Sequence, residues 1–344
     1  MKQCFFLIGL FIASIGHAQL PKIDTLTSGR KTSLRGLSVV NDNVLWVSGS
    51  NGTVGTSTNG GKDWKWFQVK GFEKRDFRDI EAFDGATAIV IAVDTPAYIL
   101  RTTDGGSNWQ VVYENHRPGM FLDAMEFWNT VSGVVIGDPI DGKIFMARSF
   151  DGGSTWNEIP DSYKPVAEKG EAFFAASGTN IRPQNLATAV FVSGGTVSNI
   201  YINKGEKKKL PLVQGTESTG ANSVAVWDNK KRKGGKKMIV VGGDFSKDTA
   251  SANNCFYTTN AGKTWQAPKI SPHGYRSCVE YITEKSLIAC GTSGVDYSSD
   301  GGETWSLLTR QGYHVVRKAK EGKAVYLAGG NGRIAKLVTA ENER

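Results

Sequence analysis

One eight-residue phrase occurs five times in this 344-residue chain, and a phrase repeated at such spacing demands a repeated architecture. The copies occupy residues 57–64, 102–109, 149–156, 258–265 and 298–305, ending on Trp64, Trp109, Trp156, Trp265 and Trp305. Their shared pattern is (Ser/Thr)-x-(Asp/Asn)-x-Gly-x-x-Trp. That is the chemistry of a tight β-turn. The Asp or Asn side chain accepts backbone N–H groups inside the turn, Gly takes the positive φ, and Trp caps the sheet edge. These five Trp read as scaffold, whereas Trp46, Trp66, Trp128 and Trp227 fall on strands or their edges.

Short β-rich runs punctuated by Gly precede each phrase, as at 44–48 with 53–56 and 88–93 with 98–101. Two further repeats lack a full phrase. In one, residues 187–193 and 198–202 lead into a stretch where Asn203 and Gly205 remain but Lys208 stands in the Trp position. In the other, residues 324–328 and 333–337 close the series. The phrase starts then fall at 57, 102, 149, 201, 258, 298 and 337, in steps of 39 to 57 residues. Four strands in some 40–50 residues make one propeller blade. The fold expected is all-β, a seven-bladed β-propeller. The last repeat stops after its third strand, near Val338, and residues 21–27 ahead of blade one supply the missing fourth. Such closure protects strand edges that an open sheet exposes.

The first 18 residues read as an export signal: Lys2, an apolar run over 5–15, and a small-x-small site ending at Ala18. Eleven residues are too few to span a bilayer, and no later stretch is long and apolar enough. Residues 19–344 then form a single propeller domain, exported to the periplasm or beyond. Cys4 precedes the apolar run, so cleavage leaves Cys255, Cys278 and Cys290, an odd number. Cys278 and Cys290 fall on adjacent strands of one hairpin; a disulfide and two small buried thiols are both compatible with that spacing. With four His in all and no Cys or His at ligand spacing, no metal site is expected. The net charge is +8. For an exported chain that favours an envelope protein, an anionic ligand, lipid head groups or a polysaccharide as partner, and not nucleic acid.

The aromatic-Arg-Asp-Ile-x-x-Phe stretch at 77–83, the Phe-Leu-Asp-Ala-x-x-Phe stretch at 121–127 and the Thr-Thr-Asp-Gly-Gly-x-x-Trp type of turn carry a resemblance. The chain resembles the photosystem II stability/assembly factor-like propellers, a branch of the BNR-repeat superfamily whose turn phrase is the Asp box. The resemblance covers essentially everything after the leader. It implies a non-catalytic assembly scaffold that binds another protein, without naming that protein here; a monomer is expected.

In a propeller, the first strand of each blade lines the central channel, and its start opens on the face opposite the Asp boxes. Aligning the repeats puts Arg35, Arg78, Leu122, Glu171, Asn222, Arg276 and His314 at that channel mouth. Loops on the same face add Asp94, Asp138 and Asp244. Converging Arg side chains suit a carboxylate, sulfate or phosphate, which guanidinium grips bidentately. The alternative is a sialidase-like, glycoside-processing enzyme. Arg35, Arg78 and Arg276 would then form its Arg triad, Glu171 would assist, and Tyr275 or Tyr313 would be the nucleophile. The Phe/Tyr-Arg-Ile-Pro segment of sialidases is missing, and a glycosidase needs two closely placed carboxyls. No Gly-x-Gly-x-x-Gly unit or haem motif is present, so no cofactor is expected. A second surface is basic: Lys207, Lys208 and Lys209 follow the degenerate box of blade four, and Lys230, Lys231, Arg232, Lys233, Lys236 and Lys237 fill a loop of blade five. Both are expected as loops on the Asp-box face, forming one patch.

Overall fold

The computed structural model describes residues 20–202 and 205–339. The expected leader therefore lies outside the described residues, as does Asn203. Seven antiparallel sheets follow one another around a ring. Blade one is Leu34–Val39, Leu45–Gly49, Thr53–Ser57 and Lys65–Gln68. Blade seven is Val315–Lys318, Val325–Ala328 and Ile334–Val338, with Lys22–Thr27 from the chain's start as its outer strand. That closing strand runs antiparallel to Ile334–Val338, from Lys22 opposite Val338 to Thr27 opposite Ile334. The expected closure is present.

Each Asp box is built as its residues dictate. In blade two, Thr102 Oγ1 accepts the Gly106 N–H at 3.1 Å, and Asp104 Oδ1 accepts that of Asn108 at 3.0 Å. Trp109 Nε1 donates to the Gly106 carbonyl at 3.1 Å, so the indole is pinned over its own turn. Gly105 and Gly106 sit at φ 75° and 88°, a region closed to most side chains. Apolar strands then pack blade against blade. Trp46, fully buried, meets Trp109 edge-on at 6.5 Å across the first blade interface.

Two blades depart from the repeat. Blade five lacks a true outer strand: only Tyr257 and Gln266 bridge there, because Pro268 has no N–H to continue the ladder. In blade four the inner strand is only Ile181–Pro183, ten residues later than the sequence alignment placed it. The residues before it cross the axis and plug the channel. Phe173 N–H donates to Asp138 of blade three at 2.8 Å, and the Ala176 carbonyl accepts Arg35 of blade one at 3.5 Å. Ser177 Oγ donates to the Ser277 carbonyl of blade six at 2.7 Å. Thr179 Oγ1 bonds Ser223 Oγ of blade five at 2.6 Å, and the Gly178 carbonyl accepts Arg317 of blade seven at 3.2 Å. Gly178, at φ 64°, lies so close to Asp79 of blade two that a Cβ would run into its carboxyl. One segment thus touches all six other blades.

Candidate functional site

The channel mouth is set by a bulge. In blades one, two, three and five the pairing of the inner strand slips by one residue, at Arg35, Arg78, Asp123 and Asn222. A bulged residue is left unpaired and its side chain is re-aimed, here toward the axis. The alignment from sequence is therefore one residue early in blade three: Asp123 faces the axis and Leu122 is buried inside the blade. The same slip corrects blade six. There the Arg276 N–H donates to Gly242 of the preceding blade, as Leu34 does to Gly329 and Leu122 to Val93. Arg276 thus takes the inward-packed position and Ser277 the axial one.

Arg276 is completely buried. Its guanidinium donates to Asp296 Oδ2, with the Nε bond at 2.7 Å, and to the Tyr275 carbonyl, Ser293 Oγ and the His273 carbonyl at 2.8, 2.9 and 2.9 Å. No N–H is left for a ligand. Glu171 is likewise spent inside blade four, accepting from Tyr201 at 2.7 Å, Asn199 at 3.1 Å, the Glu168 N–H at 2.8 Å and Ser193. Tyr275 donates to Asn222 at 2.8 Å, and Tyr313 is buried. The structure does not bring together an Arg triad, a Glu and a Tyr.

What it does bring together, above the plug, is Arg35, Arg78, His314, Asp123 and Asp138. Arg35 has one long hydrogen bond, to Ala176; burial and then the neighbouring Arg78 pull its pKa down. Arg78 pairs with Asp76 at 2.7 Å and lies 5.8 Å over the Phe121 ring. The His314 ring sits 3.1 Å from Ser33 Oγ, and burial, then Arg35, Arg78 and Arg333, push its pKa down to about 3. It is a neutral imidazole beside guanidinium groups. Burial and then Asp138 raise the Asp123 carboxyl; burial lifts Asp138 to about 6. Asp94 and Asp244 lie on the rim of the same face. Asp94 is exposed, while Asp244 is held by Ser218 at 2.7 Å and the Ser246 N–H at 3.0 Å.

Beside the mouth lies an open depression of about 590 Å³, lined by Thr196, Thr216, Glu217, Ser218, Phe245 and Ser246. Phe245 is half exposed and rests edge-on against Phe174 of the plug at 5.5 Å. The face is broad and shallow, charged on one side of the axis and aromatic on the other. Below the plug sequence reasoning missed a second charged layer: Arg182 bonds Glu126 at 2.8 Å and Glu280 at 3.1 Å, sealing the Asp-box end.

The His314 geometry fixes a pH effect. Its folded pKa lies below its ordinary 6.5, so the unfolded chain takes up a proton that the folded chain refuses. Stability is lost as pH falls below about 6.5, by roughly 1.4 kcal/mol at pH 5.5 for a folded pKa near 3. Asp138, raised from 3.8, acts in the opposite sense over the same range. The measurement is therefore a difference: denaturant midpoints of wild type and His314→Gln at pH 7.5 and 5.5, with the variant losing less on acidification.

The basic residues separate into two groups. Lys207, Lys208 and Lys209 belong to the outer strand Glu206–Lys209 of blade four, not to a loop, because these residues continue the ladder on Asn199–Ile202. Lys207 pairs with Glu168 at 3.1 Å and Lys208 with Glu206 at 3.2 Å. Lys230, Lys231, Arg232, Lys233, Lys236 and Lys237 do lie in the loop between Thr219–Val226 and Met238–Asp244, on the Asp-box face; Lys237 pairs with Glu284. Among the described residues no group of His, Cys, Asp and Glu is arranged to hold a metal ion, and no helix is long and apolar enough to cross a membrane.

The family model for the BNR/Asp-box repeat matches residues 256–267 and 296–307, two of the five boxes. Among solved structures, "YCF48 bound to D1 peptide" is similar with a TM-score of 0.65 at 14% identity, covering 95% of this chain and 100% of that one. "YCF48 from Cyanidioschyzon merolae" gives 0.66 at 15% identity, covering 93% and 100%. The Pan2 WD40 domain of Neurospora crassa gives 0.59 at 12% identity, covering 90% of each. At these identities the likeness is one of fold. No curated protein matches the chain in sequence.

Proposed function

We propose that this chain is an exported, non-catalytic scaffold whose plugged face holds a segment of a partner protein by an acidic group. The observation that carries the reading is Arg35: a guanidinium at the axis with one long internal hydrogen bond, beside Arg78 and a neutral imidazole. The plug beneath it makes a floor, not a deep pocket, which suits a chain segment better than a buried sugar. A propeller of the same fold is described as bound to a peptide. For the glycoside-processing alternative, Glu171 and Tyr201 do form a pair, but inside blade four, where Tyr201 stacks on Phe191 at 4.6 Å and is wholly buried.

The test is binding of labelled acidic peptides, and of envelope proteins captured by the wild type, to variants of the face. A hydrogen bond to a charged group is worth roughly 1.5–3 kcal/mol, so Arg35→Ala or Arg78→Ala weakens binding about 10- to 150-fold. Arg35→Lys rescues it poorly, since an ammonium cannot bind bidentately. Unchanged capture by both Ala variants overturns the site, and hydrolysis of a fluorogenic glycoside overturns the non-catalytic reading. For export, Edman sequencing of the cellular protein should begin at Gln19; a retained Met1 sinks that part.

A further inference from the structure

The opposite face carries a second surface that the peptide-binding reading does not use. The loop between Thr219–Val226 and Met238–Asp244 holds Lys230, Lys231, Arg232, Lys233 and Lys236, all exposed and none in an ion pair among the described residues. It is a built loop. Asp228 Oδ1 accepts the Gly235 N–H at 2.8 Å and that of Lys236 at 3.3 Å, and Gly235 is buried against Gln184 of blade four. These bonds fix the stem and leave the cations projecting.

Apolar tips stand beside it on the same face. Leu186, in the loop between the first two strands of blade four, is 63% exposed; Phe150, in the Asp box of blade three, is 63% exposed, and Val131 next to it 50%. The arc is continuous. The Gly152 N–H donates to the Val131 carbonyl at 3.0 Å, Trp128 Nε1 donates to Asn185 at 3.1 Å, and Gln184 abuts the basic loop. Arg148 lies beneath, its guanidinium 4.8 Å from the Trp128 ring and 5.1 Å from that of Phe150.

We propose that the Asp-box face of blades three to five docks on an anionic lipid bilayer. Phe150, Val131 and Leu186 would enter the head-group region, and the basic loop of blade five would lie over the phosphates. Cations alone would suit any polyanion, an acidic polysaccharide included. Exposed apolar tips gain nothing from a hydrated polymer, whereas an interfacial site needs both features, because apolar burial and attraction to anionic lipid add. Docked in this way, the plugged face looks away from the membrane and remains open to a partner. The two sites stand independently, since none of the lipid-facing residues contributes to the channel mouth.

The test uses protein without residues 1–18, so that the apolar leader cannot itself bind lipid; every described strand is retained. Vesicles of phosphatidylcholine with roughly a third phosphatidylglycerol are sedimented with the protein in 0.1 M salt. Protein should pellet with these and not with phosphatidylcholine alone. At about 1 kcal/mol per cation near the surface, Lys231→Gln with Lys233→Gln lowers partition roughly 30-fold. Phe150→Ser with Leu186→Ser lowers it about 10-fold or more through lost apolar burial. In 0.5 M salt the unmodified protein should largely leave the vesicles, a readout that needs no variant. Absence from the anionic pellet overturns the proposal. So does partition that is indifferent to the Phe150 and Leu186 changes, or equally tight binding to soluble polyglutamate, either of which makes the loop a general polyanion site.

Discussion

A chain that begins at Gly29 should melt about 7 °C below one that retains residues 20–28. The lost strand Lys22–Thr27 pairs with Ile334–Val338 at five positions, and Ile23 and Leu26 pack on the core shared by blades one, six and seven. Each ladder bond contributes about 0.5–1.5 kcal/mol net, and each partly buried aliphatic side chain a further 1–2 kcal/mol; at the lower ends of these ranges, as suits a half-exposed edge strand, the sum is roughly 4.5 kcal/mol. Spread over the unfolding entropy of some 300 residues, that shifts the midpoint by about 7 °C. The loss is bounded because blades one and seven hold each other elsewhere: Asp42 Oδ1 accepts the Lys323 and Ala324 N–H groups at 2.8 Å each, and Tyr326 donates to the Asp42 carbonyl at 3.0 Å. A synthetic peptide of residues 20–28 should restore part of the midpoint, because the vacated edge still presents its ladder groups. Equal melting of the two chains would show that the ring does not depend on this strand.

The features legible in the sequence are those whose chemistry is local. An Asp box is a turn that specifies itself: its Ser or Thr, its Asp or Asn and its Gly bond within eight residues, and in four of the five boxes the Trp indole bonds there too. Five boxes therefore set the repeat length, and the two repeats without a full box, read at that spacing, gave the blade count and the need for an outer strand from the N-terminus. The mouth was read less well because it depends on register. A one-residue bulge exchanges the axial side chain for its neighbour, and it leaves no mark in an apolar-polar pattern. Leu34-Arg35-Gly36, Phe77-Arg78-Asp79 and Tyr275-Arg276-Ser277 look alike, yet the third is displaced by one position. The one signal that could have revealed it is Asp296, a carboxylate in the third strand Gly294–Ser298 that lies fully buried between Arg276 and His273. Blade four was misread for a different reason. The plug residues 173–180 are small and apolar enough to pass for a strand, and their partners lie on all six other blades, beyond the reach of local pattern.

Arg276→Ala should be the most damaging single substitution at the former mouth position, and its damage should be to folding. Both Arg276 and Asp296 are fully buried, and the guanidinium makes five hydrogen bonds. Removing one partner of such a pair costs about 3–5 kcal/mol, because the buried carboxylate loses its permanently charged guanidinium and keeps only His273, whose N–H and ring Nδ1 lie 3.1 and 2.6 Å away. The Tyr275 and His273 carbonyls lose their donors as well. The melting temperature should fall by about 5–8 °C. Arg276→Lys should not recover it, since one ammonium cannot reach Asp296, Ser293 and two carbonyls together. The double change Arg276→Met with Asp296→Leu should recover much of it, by replacing the pair with apolar volume. Partner binding to the fraction that remains folded should be unchanged, in contrast to Arg35→Ala, which should bind poorly and melt normally. An Arg276→Ala protein that melts as wild type but has lost its partner would instead return this arginine to the binding face, and would require the blade-six strand to slip by one residue when the partner binds.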